Sequence, residues 1–187
     1  DEDIAAIYKD FYPTDKVIVA DAHEYLLNNF KEFDFIWSSP PCPSHSVLRN
    51  LHNIQEAVKD VYPDMKLYEE IILLKHFFEG KYCIENVISY YTPLIHPRKV
   101  GNHYYWSNFN IRQQKEQPRQ IRNRINKTTI EHLNEQYLFD LNKLKNIPKQ
   151  LIHKMLKNAV HPETGLHILN RAMGIIKENK IEQNKLF

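Results

Sequence analysis

The sequence predicts an α/β fold with a mainly parallel sheet. Short apolar runs rich in β-branched or aromatic residues recur along the chain, segments of helical period lie between them, and polar or proline-rich stops close them. The length, 187 residues, is that of one domain. With 42% hydrophobic and 26% charged residues there is enough apolar material for a core, which excludes wholesale disorder. No apolar run approaches the ~18–20 residues of a membrane span, and no secretory h-region opens the chain. Two cysteines make no disulfide scaffold, so a reducing, cytoplasmic setting is expected. A net charge of +2 neither requires nor excludes nucleic acid.

The elements follow in order. Ile4, Ile7, Tyr8 and Phe11 recur at helical spacing, so residues 1–11 read as a helix closed by Pro13. It starts at Asp1-Glu2-Asp3, without a lead-in, which suggests a missing upstream segment or, equally, a processed or trimmed terminus. Val17-Ile18-Val19-Ala20 suits a buried parallel strand. Asp21 caps a helix carrying Tyr25, Leu26, Leu27 and Phe30. Phe33 to Trp37 form a second strand, stopped by Ser38-Ser39-Pro40-Pro41. Residues 42–62 lack a clean period and read as a long loop with some helix. Asp64 caps a helix through Met65, Tyr68, Ile71, Ile72, Lys75 and His76 that ends at Gly80. Lys81-Tyr82-Cys83-Ile84 is a third strand running into Glu85-Asn86-Val87, and Tyr104 to Phe109 a fourth. Residues 112–150 are polar and basic, with helix near 128–145. Leu151 to Lys157 open a helical region, interrupted at Pro162 and resumed from Gly165 to about Lys180.

In open α/β sheets, ligands sit outside the carboxyl ends of the strands. The segments after the strands therefore form a set: Asp21, then Ser38 to Cys42, then Glu85-Asn86. Two prolines set the direction of the Cys42 thiol, which suits a nucleophile in its thiolate form; an inert half-buried cysteine is the alternative. Glu85 at a strand end suits a proton donor, or else a structural acid capping the next segment. Cys83, inside an apolar run, reads as core. Asp21 suits a cofactor hydroxyl or amino group, or merely caps its helix.

These residues resemble the DNA (cytosine-5) methyltransferases that use S-adenosylmethionine. Ser39-Pro40-Pro41-Cys42-Pro43-Ser44-His45-Ser46 is similar to the family's Pro-Cys motif, and Glu85-Asn86-Val87, 43 positions on, to its Glu-Asn-Val motif. Asn158-Ala159-Val160, followed by Pro162 and Gly165, looks like the C-terminal Asn-Ala-Val motif. Asp3-Ile4-Ala5-Ala6 with Tyr8, and Asp21 after a strand, fit the two cofactor-side motifs. The matches keep family order over roughly residues 1–170.

The resemblance implies a Rossmann-like methyltransferase sheet, with a catalytic core over 1–110, a small basic insert over 111–150 as a possible DNA-contacting region, and a helical segment over 151–187 returning to the core. It implies that the Cys42 thiolate attacks C6 of a flipped cytosine and turns the ring into an enamine that accepts a methyl group at C5. Glu85 then holds or protonates N3, and Asn86 positions neighbouring backbone. The segment after Cys42, with His45, Arg49, Asn50 and His52, becomes a lid. Pro41, Ser46, Asn86 and Val87 are the implied substrate residues, and Asp3, Asp21, Ala22, Pro40, Asn158 and Ala159 the implied cofactor residues. The partner is double-stranded DNA, with no membrane and no metal.

Three departures stand beside the resemblance. The family's Gly-rich cofactor loop is absent and belongs upstream of residue 1, as does its ribose-binding acid unless Asp1 or Glu2 substitutes, so the chain reads as trimmed, or as half of a split enzyme whose second polypeptide supplies that loop. The Gln-x-Arg-x-Arg motif has two candidates: Gln120 to Arg124 by letters, with Arg122 and Arg124, and Arg98 by its place before a strand. The target-recognition region is reduced to about 110–150, room for phosphate contacts more than base reading, so specificity is expected to be short or supplied by a partner. Rival readings are an inactive DNA-binding remnant, an RNA target, and a zinc deaminase, for which Cys42, His45 and His23-Glu24 leave the ligand set incomplete.

Overall fold

Three of the four apolar runs become strands, and one does not. The structure is a computed structural model that describes residues 1–47, 61–111, 141–144 and 147–175. Helix α1 (Glu2–Phe11) is opened by Asp1, whose side chain accepts from the Ile4 amide at 3.2 Å. Helix α2 (Ala22–Asn29) is capped by Asp21, as its sequence predicts; the carboxylate takes the His23 and Glu24 amides at 2.9 and 3.1 Å. A short 3₁₀ turn (Phe30–Glu32) leads to β1 (Phe35–Ser38). Helix α3 (Lys66–Phe77) is held at its start by Asp64, which accepts from the Lys66 amide at 3.0 Å. Strands β2 (Lys81–Val87), β3 (Arg98–Val100) and β4 (His103–Ser107) follow. Helices α4 (Leu141–Leu144), α5 (Lys149–Asn158) and α6 (Pro162–Ala172) complete the described chain.

The four strands form one mixed sheet in the order β1-β2-β4-β3. β1 and β2 are parallel, whereas β2–β4 and β3–β4 are antiparallel. The class is therefore α/β, but the sheet is mixed rather than mainly parallel. Gly101, at φ 59°, turns β3 back into β4 within two residues, and so short a turn enforces antiparallel pairing. Val17 to Ala20, expected as a buried strand, joins no ladder among the described residues, and Ile18 and Val19 are 44% and 53% exposed. An apolar run becomes a strand only where another strand lies beside it.

Pro162 does not interrupt a helix; it opens α6 at its first position, where a missing amide hydrogen costs nothing. That helix stops at Ala172, and Gly174 follows at φ 72°, so helix to about Lys180 is not what the described residues adopt. The basic stretch 112–127, with Arg122 and Arg124, lies outside the described residues, as do Arg49, Asn50 and His52.

The alternation of β2 divides the core in two. Tyr82 and Ile84 face α2 and α3, packing with Ile36, Leu26, Phe30, Leu67, Ile71, Leu74 and Trp106. Cys83 faces the other way, with Tyr105, Val100, Ile111 and Ile168 of α6. A smaller cluster joins α4 and α5 to Phe11 of α1. Gly80 ends the link from α3 to β2, and a Cβ there would meet the Asp34 carbonyl oxygen at 2.5 Å. Only glycine lets these backbones pass, and the Lys81 amide then reaches that carbonyl at 2.9 Å.

Candidate active site

The parallel register sets the site. Ser38, the last residue of β1, is level with Ile84, so the chain from Ser39 onward runs over the end of the sheet beside Glu85 and Asn86. The buried Asn86 side chain donates to the Pro40 carbonyl at 3.1 Å, and its own oxygen accepts from the Val87 amide at 2.9 Å. The Cys42 carbonyl accepts from the amides of His45 and Ser46, closing a tight turn. That turn is then stitched to the exit of β2: Val47 donates to Ile88, Tyr90 donates to His45, and Ser46 bridges Ser89. Cys42, a half-buried thiol, and Glu85 thus belong to two segments joined at both ends of the turn.

Glu85 lies on the sheet face of Cys83, Tyr105 and His103, because Glu85 pairs with Tyr105 and Val87 with His103. Its Oε1 is 3.4 Å from His103 Nε2, and the two side chains are 14% and 25% exposed. Burial pushes the Cys83 thiol and the Tyr105 hydroxyl well above their ordinary values, and the charge of Glu85 adds to both shifts. Arg98 belongs to the same cross-strand row, opposite Tyr105, but its guanidinium is taken up by Asn110 and by the Ile111 carbonyl at 3.1 Å.

His45 is 1% exposed. The Leu94 amide donates to Tyr68 Oη, Tyr68 donates to Tyr91 Oη at 3.1 Å, and Tyr91 Oη lies 2.6 Å from His45 Nδ1. Donation in that order places the imidazole hydrogen on Nε2, which is buried and has no hydrogen-bond partner among the described residues. Burial holds His45 below its ordinary value.

A cavity of about 510 Å³ opens beside the β1 exit, lined by Asp21, Ala22, Phe33, Trp37, Pro40 and Pro41 among others. At its floor Glu70 accepts from Ser38 Oγ at 2.6 Å and faces His23 Nδ1 at 3.1 Å, while Glu69 faces His23 Nε2 at 3.1 Å. At its mouth Asp21 pairs with Lys66 at 3.4 Å, and the hydrogen bond from the Glu24 amide is the main cause that holds the Asp21 carboxyl below the ordinary carboxylate value.

Of the residues singled out in the sequence, the structure brings Asp21, Ala22, Pro40 and Pro41 to this cavity. It does not bring Asp3, exposed on α1, or Asn158 and Ala159, at the carboxyl end of α5 beside the α1 cluster. The sequence reading missed His103, Glu70, Tyr68 and Tyr91. The alternation of β4 puts His103 and Tyr105 on one face, but only the strand register shows that Glu85 shares it. Among the described residues no group of three or more His, Cys, Asp or Glu could hold a metal ion, and no helix is long and apolar enough to cross a membrane. Compared with models of known families, with curated proteins and with solved structures, the chain finds no match.

Proposed function

We propose that this chain is the catalytic part of a DNA (cytosine-5) methyltransferase of Rossmann-like type. The observation that carries the reading is the joining of the Pro40-Pro41-Cys42 turn to the Glu85-Asn86-Val87 strand end through Asn86 and the Ser46–Ser89 bridge. A nucleophile and a carboxyl group that must act on opposite sides of one planar base need such a common frame.

Cys42 attacks C6 of an extruded cytosine as the thiolate. Glu85 gives a proton to N3 as charge develops on the ring, which leaves C5 nucleophilic. A base removes the C5 proton, and the Cys42–C6 bond breaks. S-adenosylmethionine, when bound, supplies an electrophilic methyl group. The cavity beside the β1 exit fits a group of that kind: its volume is within the usual range for small-molecule sites, and it combines apolar walls with a carboxylate at the mouth. Asp21, Ala22 and Pro40 would hold it.

The unladdered, exposed Ile18 and Val19 favour a second reading, in which the chain is one subunit of a split enzyme and another polypeptide covers this segment. Cofactor affinity measured with and without a glycine-rich partner polypeptide separates the two.

Trapping tests the chemistry. Incubated with S-adenosylmethionine and a duplex carrying 5-fluorocytosine, the protein is expected to form an adduct that survives denaturation, because fluorine blocks the final proton loss. The adduct should vanish in Cys42→Ala. An adduct that persists in that variant, or none even with the partner polypeptide present, would count against the reading.

A further inference from the structure

We propose that His103 is the positioning residue of Glu85, holding its Oε1 and reloading its proton; the inference rests on the methyltransferase reading above. Glu85 must be a carboxylic acid when N3 needs a proton, and the carboxylate left behind must be reloaded. Something beside it must therefore keep the proton available near neutral pH.

The groups that face Glu85 narrow the choice. Cys83 and Tyr105 flank it, but burial and the Glu85 charge hold both far too firmly protonated to supply a proton. Arg98, across Tyr105, does not give up a proton, and its guanidinium is committed to Asn110 and Ile111. Helix α6 contributes Ile168, an apolar residue. His103 is the neighbour of a type that ordinarily titrates near neutrality, and its Nε2 lies 3.4 Å from Oε1. Oε1 is the oxygen that lies toward His103, which leaves Oε2 for the base.

The protons balance. As Cys42 Sγ bonds to C6, ring electrons move toward N3, and N3 takes the proton of the Glu85 acid. The resulting carboxylate accepts the Nε2 proton of the His103 imidazolium through Oε1, leaving a neutral imidazole. When Cys42 is expelled, Glu85 returns that proton to His103 Nε2 and takes the one N3 loses, which restores the pair. No external acid is consumed.

The test uses the full chain and two readouts. First, the His103 ring is followed by NMR in the wild type and in Glu85→Gln. Its Nε2 resonance should move in the variant, because the carboxylate oxygen that faces it is gone. An unchanged resonance overturns the pairing whether or not the protein is an enzyme. Second, adduct formation on the 5-fluorocytosine duplex is followed against pH in the wild type, His103→Gln and His103→Phe. The variants should lose about tenfold or more in rate near neutrality, with DNA affinity held within about twofold, and their rate should recover toward lower pH. A His103→Gln profile that overlays the wild type overturns the proposal while leaving the methyltransferase reading intact. A wild type that forms no adduct at any pH overturns the methyltransferase reading and the catalytic role with it, even if the ring resonance shows the pair.

Discussion

The Asn86 side chain donates to the carbonyl oxygen of Pro40 at 3.1 Å, spanning 46 positions of sequence. Asn86 is 3% exposed, so this contact is a buried clamp between the strand that carries Glu85 and the turn that carries Cys42. Asn86→Ala leaves the Pro40 carbonyl unpaired and should cost roughly 1–3 kcal/mol in urea unfolding. In the folded variant, alkylation of Cys42 by iodoacetamide should accelerate as the turn loosens. A stably folded variant with an unchanged rate would sink the clamp.

The two cysteines should separate cleanly. Cys83 is fully buried, and Cys83→Ser places a hydroxyl in an apolar cluster at a cost of roughly 1–3 kcal/mol. Cys42 sits half-buried in a turn, so Cys42→Ser should stay within ~1 kcal/mol of the wild type while abolishing the trapped adduct. Thermal unfolding of both variants checks the ranking; a larger loss at Cys42 would make its role structural.

Acidity should act on the fold through His45. Its folded-state value is lowered by burial, so below the ordinary imidazole value of about 6.5 the unfolded chain binds more protons than the native one. Stability is then fully present above that value and falls as the pH drops through the window between it and the lower folded value. Protonation also puts a hydrogen on Nδ1, against the hydroxyl that Tyr91 turns toward it. Urea midpoints measured between neutral pH and about pH 5 should slope down in the wild type. The slope should be shallower in His45→Phe; equal slopes would exclude His45 as the source.

Glu69 and Glu70 adjoin in sequence and should differ in effect. Glu70 is buried and serves both Ser38 and His23, so Glu70→Ala should cost about 3–5 kcal/mol. The Glu69 side chain is 61% exposed, and its loss should cost no more than about 1 kcal/mol. Comparable losses in denaturant unfolding would contradict a buried network beneath the cavity.

Much of this protein is legible in the linear chain, for a local reason. Asp1, Asp21 and Asp64 satisfy amides within three residues, so helix starts follow from neighbouring letters. Strands β1 and β2 lie on apolar runs, and the placing of Cys42 after β1 and of Glu85 and Asn86 among the last residues of β2 needs only the rule that strand ends carry the ligand rim. Pairing is another matter. Whether Val17 to Ala20 is a strand, and whether the sheet is parallel, depends on which backbone lies alongside, and the β3–β4 turn at Gly101 decides the second of these. The partners of the site residues are equally non-local: His103 meets Glu85 through register, Glu70 meets Ser38 through the packing of α3 on the sheet, and Tyr91 meets His45 across 46 positions. Residue identity and spacing specify which chemistry the chain carries; folding alone brings the groups that tune it within hydrogen-bond reach.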